Sequence, residues 1–172
     1  MEKEERYASV IEEHKDRIYR ICCCYVRDAD RRADVYQQVL IHIWEHLDVF
    51  KGQAQVGTWI YRICVNTCLM ELRSERKRKQ VFVSGTDSAE ASLMNYASPA
   101  SSADTNEELE ALYERINELP AGDRTILSLY LEDLSTKEMA EVLDLSESNV
   151  RVKIHRIKKT LKECMEREGH GR

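Results

Sequence analysis

Two long stretches, residues 1–51 and 123–168, hold neither glycine nor proline. In a helix interior glycine costs about 1 kcal/mol and proline about 3 kcal/mol relative to alanine. Stretches of this length without either, filled with Leu, Ile, Glu, Lys and Arg, point to helices. They argue against the short, turn-punctuated strands of a β-sandwich or barrel. At 172 residues the chain has room for one ordinary domain or two small ones. No apolar run reaches the roughly 18 residues of a membrane span. The start, Met1-Glu2-Lys3-Glu4-Glu5, lacks the apolar segment of a secretion signal, so a cytoplasmic location is expected.

Hydrophobic spacing places the elements. Tyr7, Val10, Ile11, Ile18, Ile21, Cys22 and Tyr25 recur at helical period, and Asp28-Ala29-Asp30 reads as a turn. A second helix from about Arg32 carries Tyr36, Val39, Leu40, Ile43, Trp44 and Leu47 on one face. Gly52 and Gly57 bracket a short loop, and a third helix is expected over 58–79, amphipathic at first and strongly basic at its end. Residues 81–104 lose all periodicity and collect Ser, Ala, Thr, Asp and Pro99, the composition of a linker. Order resumes with Thr105-Asn106-Glu107-Glu108, which fits a capping box, and Pro120 opens the next helix. Ser135-Thr136-Lys137-Glu138 is a second capping box, and Ser146 caps a last helix with the stripe Val150, Ile154, Ile157 and Leu161. The expectation is an all-α protein of two small helical domains, 1–80 and 105–168, joined by a flexible acidic linker over 81–104.

The formal net charge of −5 conceals a strong asymmetry. Residues 71–80 hold five basic side chains against two acidic, and residues 149–167 hold seven against two. Residues 81–123 hold nine acidic side chains against Arg115 alone. Two basic patches flanking an acidic stretch suit a nucleic-acid partner.

The pattern over 135–154 reads as a helix-turn-helix. Ala140 is small enough for two helices to cross closely, while Leu143, Leu145, Val150 and Ile154 pack them. Asp144 stands where the turn needs a left-handed residue, which Asp tolerates better than most. The exposed face of the last helix offers Ser146, Ser148, Asn149, Arg151, Lys153, His155 and Arg156. Asn and Arg pair with base edges in the major groove, and Ser and Lys hold phosphates. In the first half, Trp59, Tyr61, Arg62 and Asn66 precede the basic run Arg73-Ser74-Glu75-Arg76-Lys77-Arg78-Lys79 on one helix. Rings beside cations suit single-stranded nucleic acid, although Trp59 also fits an apolar stripe with Ile63.

Two features are weighed and set aside. The six cysteines (Cys22, Cys23, Cys24, Cys64, Cys68, Cys164) never repeat the Cys-x-x-Cys spacing of zinc sites and read as small core hydrophobes in a reducing compartment. His42-Ile43-Trp44-Glu45-His46 matches the inverted zinc-protease pattern, but such a site needs a third ligand and a substrate cleft, the helix spends Ile43 and Trp44 on its core face, and nothing downstream resembles a peptidase domain. No metal, no cofactor and no catalytic residue is expected.

These residues resemble a family, the extracytoplasmic-function branch of bacterial sigma-70-type sigma factors. Ala33-Asp34-Val35-Tyr36-Gln37-Gln38-Val39 with Trp44 is similar to its polymerase-binding segment. Thr58-Trp59-Ile60-Tyr61-Arg62-Ile63-Cys64-Val65-Asn66-Thr67 and Leu72-Arg73 follow in the family's order. Leu119-Pro120 through the helix-turn-helix resembles its promoter-binding region 4. The resemblance implies that Asp34, Gln37 and Gln38 face the β′ coiled coil of RNA polymerase. It implies that the loop Lys51, Gly52, Gln53, Ala54, Gln55, Val56 and Gly57 accepts a flipped base of the −10 element. Trp59, Arg62, Asn66 and Arg73 would hold the melted strand and adjacent duplex. Ser148, Asn149, Arg151, Lys153 and Arg156 would read the −35 element. The implied partners are core polymerase, through its β′ coiled coil and β flap, promoter DNA, and an anti-sigma factor, with the protein nucleoid-associated when active. Where the family commonly carries Gly-Thr before the recognition-helix valine and Ser-Arg after it, this chain has Ser148-Asn149 and Val152-Lys153.

Polymer physics adds a constraint. A flexible linker of about 25 residues spans roughly 25–30 Å on average. Promoter elements one to two helical turns apart lie about 35–70 Å from one another. A scaffold must therefore hold the two domains apart, and the polymerase core would be that scaffold. The alternatives are a stand-alone helix-turn-helix regulator and, more remotely, a zinc hydrolase using His42 and His46.

Overall fold

The computed structural model describes residues 2–52, 54–84 and 107–169. Among these residues seven α-helices follow one another: α1 (Lys3–Cys23), α2 (Ala29–His46), α3 (Val56–Ser84), α4 (Glu107–Glu118), α5 (Ala121–Leu131), α6 (Thr136–Leu143) and α7 (Glu147–Gly169). A single 3₁₀ turn, Leu47–Val49, extends α2. Among the described residues there is no strand, in keeping with the all-α expectation, and no helix is long and apolar enough to cross a membrane. Most of the 81–104 linker, and Thr105 and Asn106 of the first capping box, lie outside the described residues.

The ends of α1 and α2 are made by side chains. Asp28, in extended backbone, accepts a hydrogen bond from the Arg31 amide at 2.9 Å and so caps α2. The helix therefore begins at Ala29, three residues before the spacing of apolar residues suggested, because the cap and not the stripe sets its start. Arg32 then turns back under the end of α1. Its guanidinium donates to the Val26 and Arg27 carbonyls (3.2 and 2.8 Å) and to Cys23 Sγ (3.3 Å). Carbonyls that no helical amide can reach are satisfied by a cation, the sign a helix C-terminus favours.

In the first half, α1, α2 and α3 pack on one another around Ile18, Ile21, Cys22, Val39, Ile43, Ile60, Cys64 and Cys68, all fully buried. Burial of each Ile or Leu side chain contributes about 1.5–3 kcal/mol. In the second half, Ile116, Leu129, Met139, Val150 and Ile157 form the equivalent centre among α4 to α7. α6 carries the expected capping box in full: the Glu138 amide donates to Ser135 Oγ (3.2 Å) and the Ser135 amide to Glu138 Oε2 (2.8 Å).

The two halves touch. α3 packs against α6 and α1 against α5, so buried side chains of both halves form one continuous cluster. Polar contacts cross the junction too: the Tyr25 hydroxyl donates to Thr125 Oγ1 (2.7 Å), and Asn117 Nδ2 to the Cys23 carbonyl (3.0 Å). Sequence periodicity carries no sign of this contact, because the apolar residues of the junction read equally well as the core of their own half.

Candidate nucleic-acid interface

The helix-turn-helix is built on one strained residue. Asp144 ends α6 at φ 55°, ψ 47°, and behind it the Leu145 amide closes on the Ala140 carbonyl at 3.0 Å. Left-handed backbone reverses the chain in the fewest residues, and Asp is among the few non-glycine side chains that accept it. Ser146 accepts the Asn149 amide (3.3 Å) and so caps α7 as expected. α7 then buries Val150 and Ile157 against α5 and α6, which turns the opposite face outward.

That outward face holds Ser148, Asn149, Arg151, His155 and Arg156, all exposed. Arg151 is held by Glu147 (3.0 Å) one turn back, and Arg156 by Asp123 of α5 (2.7 Å). Both are exposed pairs that phosphate or base edges can displace at little cost. Lys153 departs from the expected set. It is half-buried and lines an apolar groove with Leu69, Ala121, Leu143 and Leu145, on the side of the helix away from Ser148 and His155. Two residues absent from the expected set stand on the outward face: Val152, 67% exposed, and Lys159. An apolar side chain out of phase with the buried stripe was the available signal for Val152. Such a methyl-bearing side chain can contact a thymine methyl in the major groove.

On α3, Trp59, Arg62, Asn66, Arg73 and Lys77 fall within one narrow sector of the helix, since 3, 4 and 7 residues are near whole turns. Arg62, Asn66, Arg73 and Lys77 are exposed. The two acids of the basic run sit on the other side: Glu71 pairs with Arg31 and Arg78, and Glu75 with Arg31 (3.2 Å) and Lys79 (3.0 Å). Arg73 and Lys77 have no ion-pair partner among the described residues. Met70 projects from the same sector, 60% exposed.

Trp59 is half-buried and its ring lies against Phe50, centroids 4.9 Å apart and tilted by 31°. The two rings flank the expected loop in sequence, and its residues Lys51, Gly52, Ala54 and Gln55 are exposed just ahead of α3. Gly52 has φ 70°, a left-handed conformation that favours glycine. Gln53 lies outside the described residues.

Val56 and Gly57 belong to the first turn of α3, so the loop is shorter than expected. Gly57 serves the core: a Cβ there would stand 3.2 Å from the His14 ring. Tyr61 also faces inward. Its hydroxyl meets His14 Nδ1 (3.0 Å) and accepts from Arg17 (3.2 Å), which removes it from the base-stacking set. Burial pushes the His14 pKa below its ordinary value.

Asp34, Gln37 and Gln38 are exposed on α2, away from Val35, Val39 and Ile43, which are buried. Ile41, 46% exposed, continues the same face and was not anticipated. The His42 and His46 pattern does not assemble a metal site. His42 Nδ1 meets Thr67 Oγ1 (3.0 Å) and His46 Nδ1 the His42 carbonyl (2.8 Å).

Comparison with known proteins supplies the remaining information. Residues 10–78 match the family model described as Sigma-70 region 2, and residues 109–161 the one described as Sigma-70, region 4. The chain is 30% identical over 149 residues to the RNA polymerase sigma-H factor of Pseudomonas aeruginosa, covering 83% of this chain and 77% of that one. It is 24% identical over 167 residues to the ECF RNA polymerase sigma factor SigW of Bacillus subtilis, covering 92% and 88%. Its fold is similar to that of the sigma factor RpoE solved with the anti-sigma factor NepR from Bartonella quintana. The TM-score is 0.67 at 18% identity, over 95% of this chain and 96% of that one.

Proposed function

This chain belongs to the sigma-70 family of RNA polymerase sigma factors, and from that premise we propose how its surfaces divide the work of promoter-specific initiation. The family is not known for enzymatic activity. Residues 1–80 act as region 2 and residues 105–168 as region 4, with 81–104 as the strap between them, although its first four residues continue α3 rather than starting a linker. The exposed face of α2, with Asp34, Gln37, Gln38 and the apolar Ile41, docks on the β′ coiled coil of core polymerase. The loop behind the Phe50–Trp59 ring pair receives a flipped −10 base. Arg62, Asn66, Arg73 and Lys77 follow the adjacent backbone, where cations release condensed counterions. Ser148, Asn149, Arg151, Val152, His155 and Arg156 enter the major groove at the −35 element.

The observation that carries this reading is the shared sector of α3. One amide and two unpaired cations face outward there beside the half-buried Trp59 ring, while the acids of the same helix are neutralised on the far side. A solvated helix end would not sort its charges in this way.

The contact between the halves defines the resting state of the free protein. Arg62 donates to the Glu141 carbonyl of α6, and Leu69 of α3 lines a groove with Leu143 and Leu145. A residue of the −10 surface is thus occupied by the −35 domain. Two halves in direct contact cannot reach promoter elements about 35–70 Å apart. Binding to core polymerase separates them, and an anti-sigma factor holds them together. The protein works in the cytoplasm, on the nucleoid when active.

Run-off transcription with core polymerase on a promoter library tests this. Specific initiation should need both protein and core, while the free protein binds duplex weakly. Tight specific duplex binding by the free chain, with no effect on polymerase, would favour the stand-alone regulator.

A further inference from the structure

Five of the six cysteines lie among the described side chains, and all five are buried. Two of them are engaged singly: Cys23 Sγ accepts from Arg32, and Cys24 donates to the Arg20 carbonyl (3.4 Å). The other three converge. Cys22 of α1 and Cys64 and Cys68 of α3 place their sulfurs within 4.8 Å of one another, with Cys22 and Cys68 at 3.9 Å. All three side chains are fully buried. Cys64 and Cys68 stand four residues apart, so they project from one helix face toward α1.

This is the geometry of a metal site rather than of a disulfide. A metal–thiolate bond is about 2.3 Å, which puts the sulfurs of a trigonal site about 4.0 Å apart. A disulfide would serve two of the three and leave one behind. Small apolar packing alone gives no reason for three sulfurs to meet at one point when alanine or valine would fill the space.

We propose that Cys22, Cys64 and Cys68 form a trigonal thiolate site for a divalent thiophilic ion of the zinc group, which joins α1 to α3 inside the first domain. Soft thiolates select closed-shell d¹⁰ cations over magnesium or calcium. Loading converts three thiols and one M²⁺ to M(SR)₃⁻ and releases three protons. A counter-charge is at hand in Arg32, only 8% exposed, which donates to Cys23, the chain neighbour of Cys22. Its described hydrogen bonds go to two carbonyls and to Cys23 Sγ, none to a carboxylate. A monovalent ion would leave two negative charges in a dry core beside a single guanidinium. Since the sulfurs are shut off from solvent, the ion enters during folding or on opening of α1 from α3.

The test uses the full chain, reduced and metal-free, refolded with increasing Cd²⁺ as probe. The thiolate-to-cadmium charge-transfer band should saturate at one equivalent, and Zn²⁺ should bleach it. Melting temperature should rise with the same stoichiometry, because an ion that binds only the folded state stabilises it. C22A, C64A and C68A should each weaken binding by at least about tenfold, while C23A and C24A leave it intact. Cadmium NMR of the wild-type chain needs no variant, and a single resonance in the three-sulfur range is expected. Three results would each overturn the proposal: no band in the wild-type chain, a band that survives C22A/C68A, or a resonance typical of oxygen ligands.

Discussion

Arg20 and Glu132, 112 positions apart in the chain, meet through two parallel hydrogen bonds of 2.8 Å, Nε to Oε1 and Nη2 to Oε2. The Glu132 side chain is buried (5% exposed), while that of Arg20 is 44% exposed. The fork therefore anchors a carboxylate that has left water, and it does so across the junction between the first helix and the end of the fifth. Bidentate geometry of this kind fixes orientation as well as energy.

Removing Arg20 strands the buried carboxylate. R20A is expected to weaken the closed arrangement by about 1–3 kcal/mol, the cost of an unpaired buried polar group with partial access to water. Combined with Y25F, which deletes the hydroxyl that donates to Thr125 Oγ1, it should open the two halves. Small-angle scattering would read this as a larger radius of gyration, and titration with core polymerase as tighter binding. An unchanged radius would remove the closed resting state.

A second prediction concerns α7. R151A should cost about 1–3 kcal/mol in binding to the preferred −35 sequence if the guanidinium pairs with a base. Its only described ion pair, with Glu147, is exposed and easily exchanged. Measuring the loss on a set of −35 variants separates the roles. An equal drop on every sequence would make Arg151 a phosphate contact.

Acid should destabilise the first domain through His14. Its folded pKa lies below the ordinary value of 6.5, with burial the largest cause, while Glu13 pulls it up and Arg17 pushes it down. Tyr61 at Nδ1 is the partner from α3, and Nε2 is buried without a hydrogen-bond partner, 3.9 Å from Glu13 Oε1. Well above pH 6.5 neither state holds the proton and the contribution to stability is constant. As pH falls below 6.5 the unfolded chain takes up the proton first, so stability drops until the folded pKa is passed. Denaturant melts between pH 7.5 and pH 5.5 should show a slope attributable to this residue (roughly the span around an ordinary histidine pKa). H14Q should flatten that slope, and a slope unchanged in H14Q would assign it elsewhere.

Asp144 supplies a stability test of the turn. In the left-handed region a non-glycine residue costs about 1–2 kcal/mol, partly relieved for Asp. D144G should therefore raise stability by up to about 1 kcal/mol, or about 2–4 °C in melting temperature for a chain of this size. Destabilisation would mean that the Asp144 side chain has a role beyond conformation.

Much of this protein is legible without coordinates. Helix identity, the capping box at Ser135 and Glu138, the left-handed turn at Asp144 and the outward face of α7 all rest on interactions within about a turn of chain, which spacing and side-chain chemistry dictate. Apart from the start of α2, which the Asp28 cap sets locally, the expectations that changed involve contacts distant in sequence. Gly57 looks like a loop glycine until His14 is seen against it, and Tyr61 like a stacking ring until His14 and Arg17 hold its hydroxyl. Lys153 reads as a fully exposed cation until the groove beside Leu69 half-buries it.

Local pattern thus decided the helices and their exposed chemistry, because a helix's polar and apolar faces are written at a fixed period along one segment. The tertiary structure alone decided which inward faces meet. It packed α3 on α6, joined Arg20 to Glu132, and brought Cys22 to Cys64 and Cys68 from opposite sides of a core. Such pairings follow from how whole helices cross, and close packing in three dimensions leaves no periodic trace in the chain.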